Sequence, residues 1–242
     1  MAETLLSVRS ISKSFRGLRA MTEVSFDVEE GHIVALIGPN GAGKTTCFNM
    51  IAGAFVPDAG EIRFAGRRID GMRPDQVCLA GIGRTFQLVK PFAGLSVLDN
   101  VIVGALRRNS HVSVARRKAH AVLERLGLAE KRDQQASALT LPDRKRLEVA
   151  RALATEPRLL LLDEAMAGLR PTETDQMVAV FRRLSEEQGL TILLIEHVMR
   201  AVMALSREIH VLHHGVLIAS GSPDDVVRHP AVLDCYLGEE AV

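Results

Sequence analysis

Gly38-Pro39-Asn40-Gly41-Ala42-Gly43-Lys44-Thr45 is the stretch on which the reading of this chain turns. It fits the pattern G-x-x-x-x-G-K-[ST], and its surroundings give the pattern weight. A compact apolar run, residues 32–37, leads into it; helix formers over residues 44–54 lead away from it and stop at breakers in residues 57–60. A buried strand, a glycine-rich turn and a helix in that order let backbone N–H groups wrap a phosphate, and the helix N-terminus adds positive potential. Lys44 then bridges the outer phosphates and Thr45 offers a hydroxyl to Mg2+. The candidate ATP-binding residues are Gly38, Pro39, Asn40, Gly41, Ala42, Gly43, Lys44, Thr45 and Thr46. The plainer reading, a glycine-rich turn without a ligand, fits the flanking strand and helix poorly.

Such a site needs a carboxylate at the end of a neighbouring buried strand, and Leu159-Leu160-Leu161-Leu162-Asp163-Glu164 supplies two in succession. Asp163 is the acid expected on the Mg2+ side. Glu164 points elsewhere and is the candidate to orient or deprotonate the attacking water. Strand ends are often solvated acids, but two charges closing a four-leucine run weaken that reading.

Working outward, residues 5–11, 24–28 and 61–64 read as strands. Residues 97–108, 112–127 and 143–154 show apolar residues at helical spacing, with Arg and Lys filling the other face. Strand-like runs at 159–163 and 190–196 flank a helix at 172–188, the alternation of a parallel sheet buried on both faces. Two further strands, 208–213 and 216–220, precede Ser222-Pro223-Asp224-Asp225, a capped helix start. The helical stretch 91–154 is therefore expected as an insertion in one α/β nucleotide-binding unit.

Composition narrows the function classes. With 242 residues and 47% hydrophobic content the chain can bury a large core. Lys and Arg (30) nearly cancel Asp and Glu (29), which gives no footprint for nucleic acid or an anionic membrane. Cys47, Cys78 and Cys235 are far apart, as expected of reduced thiols in a cytosolic protein. The first residues do not read as a secretory signal, and no window approaches the ~20 apolar residues of a membrane-spanning helix. Any membrane role is expected to come through partner chains.

The sequence distance of 119 from Lys44 to Asp163 exceeds what compact phosphate-loop kinases use, and the interval holds the helical stretch. Over nearly its whole length the chain resembles the ATPase subunits of ABC transporters. Gly83-Arg84-Thr85-Phe86-Gln87 resembles their glutamine loop, Ile195-Glu196-His197 their switch histidine, and Ala167-Gly168-Leu169 their dimer-contact loop. Phe15, in Ser14-Phe15-Arg16-Gly17, sits where the family places an aromatic ring against adenine. The resemblance implies an α/β fold: a P-loop NTPase parallel sheet core in residues 1–90 and 155–242, with an N-terminal antiparallel β subdomain, and an inserted helical subdomain in 91–154. It also implies that Gln87 touches Mg2+ or the attacking water and relays to a permease, and that His197 holds the γ-phosphate.

One motif departs from the family. Where Leu-Ser-Gly-Gly-Gln is usual, this chain reads Leu139-Thr140-Leu141-Pro142-Asp143. Thr140 is expected as N-cap with Asp143 closing a capping box, so that a helix N-terminus is still offered to an anion; the resemblance implies that this region meets the γ-phosphate of the opposite subunit. Pro142 removes one N–H, and glycine's close approach is lost, so weakened binding across the dimer is expected.

Within the family the resemblance is greatest to the branched-chain or hydrophobic amino-acid uptake group. It runs through residues 83–90 and 93–101, Ile195-Glu196-His197-Val198-Met199, and the closing Tyr236-Leu237-Gly238-Glu239. That implies two permease subunits, a second copy or a related ATPase, an external solute-binding protein, and a peripheral position on the cytoplasmic face of the cell membrane. The alternative is a regulatory or non-transport ABC ATPase whose hydrolysis is weakened by residues 139–143. Three weaker constellations read as structural. His210, His213 and His214 are expected as strand residues, with His213 on the face opposite the other two. Arg107-Arg108 and Arg116-Arg117-Lys118 read as solvated helix faces, not a nucleic-acid patch. Cys47 reads as a buried inert thiol.

Overall fold

The computed structural model describes residues 3–87, 90–109 and 111–237; Leu88, Val89, Gly238 and Glu239, parts of the family motifs quoted above, lie outside them. Two sheets organise the chain. The strands of the first are Thr4–Phe15 (β1), Leu18–Glu29 (β2), Ala59–Phe64 (β4) and Arg67–Arg68 (β5), ordered β2-β1-β4-β5 and antiparallel throughout. The turn between β1 and β2 places Arg16 and Gly17 at φ 48° and 88°, the left-handed pair that a two-residue hairpin requires.

Ile33–Ile37 (β3), Ile82–Arg84 (β6), Leu159–Asp163 (β7), Thr191–Ile195 (β8), Glu208–His213 (β9) and Val216–Gly221 (β10) form the second sheet, ordered β10-β9-β3-β8-β7-β6. All its pairings are parallel except that of β9 with β10. Every residue of β3, β7 and β8 is buried, as expected for strands covered on both faces. Period-two alternation divides these strands between two cores. Val34, Leu36, Leu159, Leu161, Leu193 and Ile195 pack with the antiparallel sheet and with α1 (Lys44–Ile51). Ile33, Ala35, Ile37, Leu160, Leu162, Ile192 and Leu194 face the other way, towards the helices.

Those helices are α3 (Val97–Ala105), α4 (Val112–Arg125), α5 (Leu141–Leu153), α6 (Pro171–Gln188) and α7 (Met199–Leu205). At Gly104, a Cβ would lie 2.5 Å from the Arg151 carbonyl oxygen, so glycine lets α3 approach α5 closely. Several predicted helix ends move: 97–108 stops at Ala105, 112–127 stops at Arg125, and 143–154 begins at Leu141 because Pro142 fits a first turn. Short helices α2 (Pro74–Ala80), α8 (Pro223–Val227) and α9 (Pro230–Leu237) complete the chain. No helix among the described residues is long and apolar enough to cross a membrane.

Candidate functional site

Four neighbouring parallel strands deliver the site at their C-terminal ends, the edge at which open α/β sheets hold ligands. The phosphate-loop residues follow β3. Asp163 closes β7 opposite Ile195 of β8, so Glu164 and His197 leave adjacent strands. Beyond β6 the backbone continues along β7, with the Thr85 N–H on the Leu161 carbonyl at 2.9 Å and the Thr85 hydroxyl accepting from the Asp163 N–H at 3.1 Å. Gln87 is thereby carried to the same edge.

The loop itself is shaped by glycine where nothing else fits. Gly38 sits at φ 144°, and a Cβ there would lie 2.0 Å from the Leu212 carbonyl oxygen; Gly43 sits at φ 102°, with a Cβ 2.7 Å from the Ala20 oxygen. The Cys47 N–H bonds the Gly43 carbonyl at 2.9 Å and starts α1. Lys44 is buried, and its ammonium donates to the carbonyls of Gly38 and Pro39 at 2.6 and 2.8 Å. A cavity of about 410 Å³ opens above; its lining includes Asn40, Gly41, Ala42, Gly43, Lys44, Thr45, Thr46, Gln87, Glu164 and His197. All ten are predicted site residues, so sequence positions up to 157 apart meet around one space.

Glu164 is the hub. Its carboxylate accepts from the Gln87 amide at 2.9 Å and meets His197 Nε2 at 3.1 Å. Its N–H donates to the Ile195 carbonyl at 2.9 Å, while its own carbonyl accepts from the Lys145 ammonium at 2.7 Å and the Ala167 N–H at 3.2 Å. All of this holds a non-glycine residue at φ 50°, a left-handed backbone that costs energy and is kept where surroundings over-determine it.

Asp163 lies on the far side of the backbone, buried, with its carboxylate on Arg84 at 3.1 Å; Arg84 also donates to Asn49 at 2.6 Å. Burial pushes the Asp163 carboxyl up and outweighs the lowering by Arg84. A second cavity of about 470 Å³ is lined by Thr45, Gln87 and Asp163 together with Arg84 and Glu148. Hydroxyl, amide and single carboxylate oxygens are the hard donors Mg2+ takes when substrate phosphates complete its shell, so the three predicted metal residues fit that ion. Among the described residues no cluster of three His, Cys, Asp or Glu side chains could hold a metal by itself.

Residues 21–167 match the family described as "ABC transporter", and residues 216–242 match "Branched-chain amino acid ATP-binding cassette transporter". The chain belongs to the ABC transporter family. Over 256 residues it is 40% identical to "High-affinity branched-chain amino acid transport ATP-binding protein LivG" of Salmonella typhimurium, covering 99% of this chain and 100% of that one. It is 38% identical over 255 residues to the Pseudomonas aeruginosa protein of the same description called BraF, with the same coverage. A solved ATP-binding cassette of an ABC transporter in its ADP conformation superposes with TM-score 0.89 at 30% identity, over 98% of this chain and 99% of that one. This ABC ATPase therefore binds ATP with Mg2+ and hydrolyses it as the motor subunit of a transporter, associated peripherally with the membrane through permease partners.

Four predicted nucleotide contacts of this ABC ATPase do not line the cavity: Gly38 and Pro39, whose carbonyls hold Lys44, and Phe15 and Thr140. Phe15 is not among its lining residues; it ends β1, 38% exposed, edge-on to Phe55 with ring centroids 5.2 Å apart. Thr140 caps α5, but without the capping box read from the sequence: its hydroxyl donates to the Asp143 carboxylate at 2.8 Å, and no backbone N–H bonds back to it. Asp143 also pairs with Lys131. Burial raises the Asp143 carboxyl, but Lys131 and Thr140 more than offset that and leave it below the ordinary range, a fixed anion at the start of α5.

The weaker constellations resolve too. The predicted separation of His213 from His214 fails, because His214 sits in the left-handed turn at φ 47° and the two rings stand 4.0 Å apart; His214 lines the phosphate-loop cavity. His210 is buried against Phe26. Arg108 bonds the carbonyls of Thr155 and Leu79, which suits a structural role. Burial pushes the Cys47 thiol up to about 12, so it is inert as read. Sequence reasoning missed Arg84, Lys145 and Glu196 as participants. Arg84 and Glu196 lay within quoted motifs, whereas Lys145 was counted on a solvated face and is buried.

Proposed function

We propose that this ABC ATPase powers uptake of branched-chain amino acids, binding and hydrolysing Mg-ATP in the space above the phosphate loop. The observation that carries the hydrolytic reading is the carboxylate of Glu164, suspended between Gln87 and His197 at the mouth of that space. The loop amides and Lys44 bind the phosphates, Phe15 takes the adenine, and Thr140 faces the nucleotide of the opposite subunit. Thr45, Asp163 and Gln87 would hold Mg2+, which would supply positive charge against the phosphate oxygens. Glu164 orients the attacking water and accepts its proton; His197 holds the γ-phosphate end, and Gln87 relays to the permease.

The substrate class rests on full-length similarity to LivG and BraF proteins and on the match of residues 216–242. The corresponding assembly has two permeases, a second copy or related ATPase, and an external solute-binding protein, with this subunit on the cytoplasmic face and residues 91–154 as its helical subdomain. The test is ATP-driven accumulation of leucine, isoleucine or valine by vesicles carrying the assembled transporter. Uptake is expected with the wild-type chain and lost with Lys44→Ala. Uptake of a different solute class, with none of these three, would overturn the substrate assignment.

A further inference from the structure

Lys145 is not part of the phosphate-loop cavity, yet it is one of the most constrained charges in the molecule. It projects from the first turns of α5, is only 6% exposed, and its ammonium donates to the Glu164 carbonyl at 2.7 Å. Four carboxylates lie in its field, those of Glu196, Glu164, Asp163 and Glu148. None of them is within ion-pair distance, so the backbone carbonyl is the group it grips. Glu196 is buried beside it and holds the other end of the same turn, its Oε1 accepting from the Met166 N–H at 2.7 Å. The remaining oxygen, Oε2, is buried without a hydrogen-bond partner among the described residues.

A lysine is buried at such a cost only where its charge or its reach is used. Here the carbonyl it holds belongs to the residue at φ 50° whose side chain bridges Gln87 and His197. Released from Lys145, the Glu164–Ala165 peptide keeps only the 3.2 Å turn bond from Ala167 and is free to rotate towards the right-handed region that a glutamate prefers. That rotation swings the Glu164 carboxylate away from its two partners.

We propose that Lys145 is a positioning residue for ATP hydrolysis: by gripping the Glu164 carbonyl from α5, it fixes the left-handed backbone that aims the Glu164 carboxylate into the site. This rests on the reading of Glu164 as the acid that acts on water. It also ties α5, whose first turn holds residues 141–143, directly to the backbone of that acid.

The experiment measures Mg-ATP turnover, KM for ATP and thermal stability in the assembled transporter for Lys145→Met, Lys145→Arg, Lys145→Met/Glu196→Gln and Glu164→Gln. Lys145→Met is expected to remove about nine-tenths of the turnover that Glu164→Gln removes, with KM for ATP changed by less than about twofold, the signature of an interaction lost in the chemical step alone. Lys145→Arg, which can still reach the carbonyl, restores most of it. The double variant relieves the buried acid left facing a methionine, so it folds even where Lys145→Met does not, and its turnover stays low. Recovery of turnover in the double variant would reduce Lys145 to a charge partner of Glu196 and overturn the proposal. So would unchanged turnover, or a fall in turnover matched by a rise in KM. Unchanged turnover in Glu164→Gln would defeat the reading of Glu164 itself, and the role of Lys145 with it.

Discussion

Replacing Glu196 by Gln should change how stability depends on pH, by an amount that follows from its burial. Glu196 is 2% exposed, and burial raises its carboxyl from the ordinary 4.5 to about 7, with the Met166 N–H and the charge of Lys145 pulling the other way. The native protein therefore keeps this proton over a range in which the unfolded chain has released it. Stability falls as pH rises from about 4.5 to about 7 and levels off above, because from there both states are ionised. At about 1.4 kcal/mol per decade, the wild-type protein loses roughly 2.5 kcal/mol from this group between pH 5 and pH 8. Glutamine keeps the acceptor for Met166 and has no proton to lose. The difference between Glu196→Gln and wild type should thus grow in favour of the variant by roughly 2.5 kcal/mol over that interval, or about 5–10 °C in Tm for a chain of this size. Thermal melts of both proteins at half-unit pH steps measure it. A Tm difference that stays constant from pH 5 to pH 8 would refute the reasoning.

Three other outcomes follow from single contacts. Gly43→Ala puts a methyl 2.7 Å from the Ala20 carbonyl at φ 102°, so it should cost about 1–3 kcal/mol in a denaturant melt and weaken ATP binding measured by titration; wild-type values in both would contradict the assigned shape of the loop. Leu141→Gly/Pro142→Gly restores a backbone N–H at the start of α5 and should raise ATP turnover, about threefold if one hydrogen bond is regained; an unchanged rate would mean that residues 139–143 already suffice. Cys47, fully buried and with its thiol raised to about 12, should resist alkylation in the native protein with or without ATP, and rapid labelling by iodoacetamide would show the helix of the phosphate loop to be open.

The sequence was legible where chemistry coincides with the end of an apolar run. β7 and β9 have the bounds read from their residues; Asp163 closes the four-leucine run of β7, and Glu164 and His197 follow β7 and the apolar or β-branched β8. The loop was legible because two of its glycines, Gly38 and Gly43, combine a positive φ with a backbone oxygen too close for any Cβ. Short helices such as α2 and α7 carry too few turns for an apolar stripe to be recognised. Lys145 was misplaced for a different reason. Helical periodicity assigns a lysine among Arg144 and Arg146 to water, and only the packing of α5 over the end of β7 puts it inside. The capping box at Thr140 failed because the Asp143 carboxylate, held by Lys131 from outside the helix, takes the threonine hydroxyl for itself.

The most direct test of the account compares wild-type chain and Glu164→Gln, assembled with their partners, for ATP affinity and Mg-ATP turnover in the same samples. If Glu164 delivers the water, the variant binds ATP with wild-type affinity while its own site loses turnover by about a hundredfold or more. Equal turnover in the two proteins would contradict the central claim that this carboxylate, between Gln87 and His197, carries out the hydrolytic step.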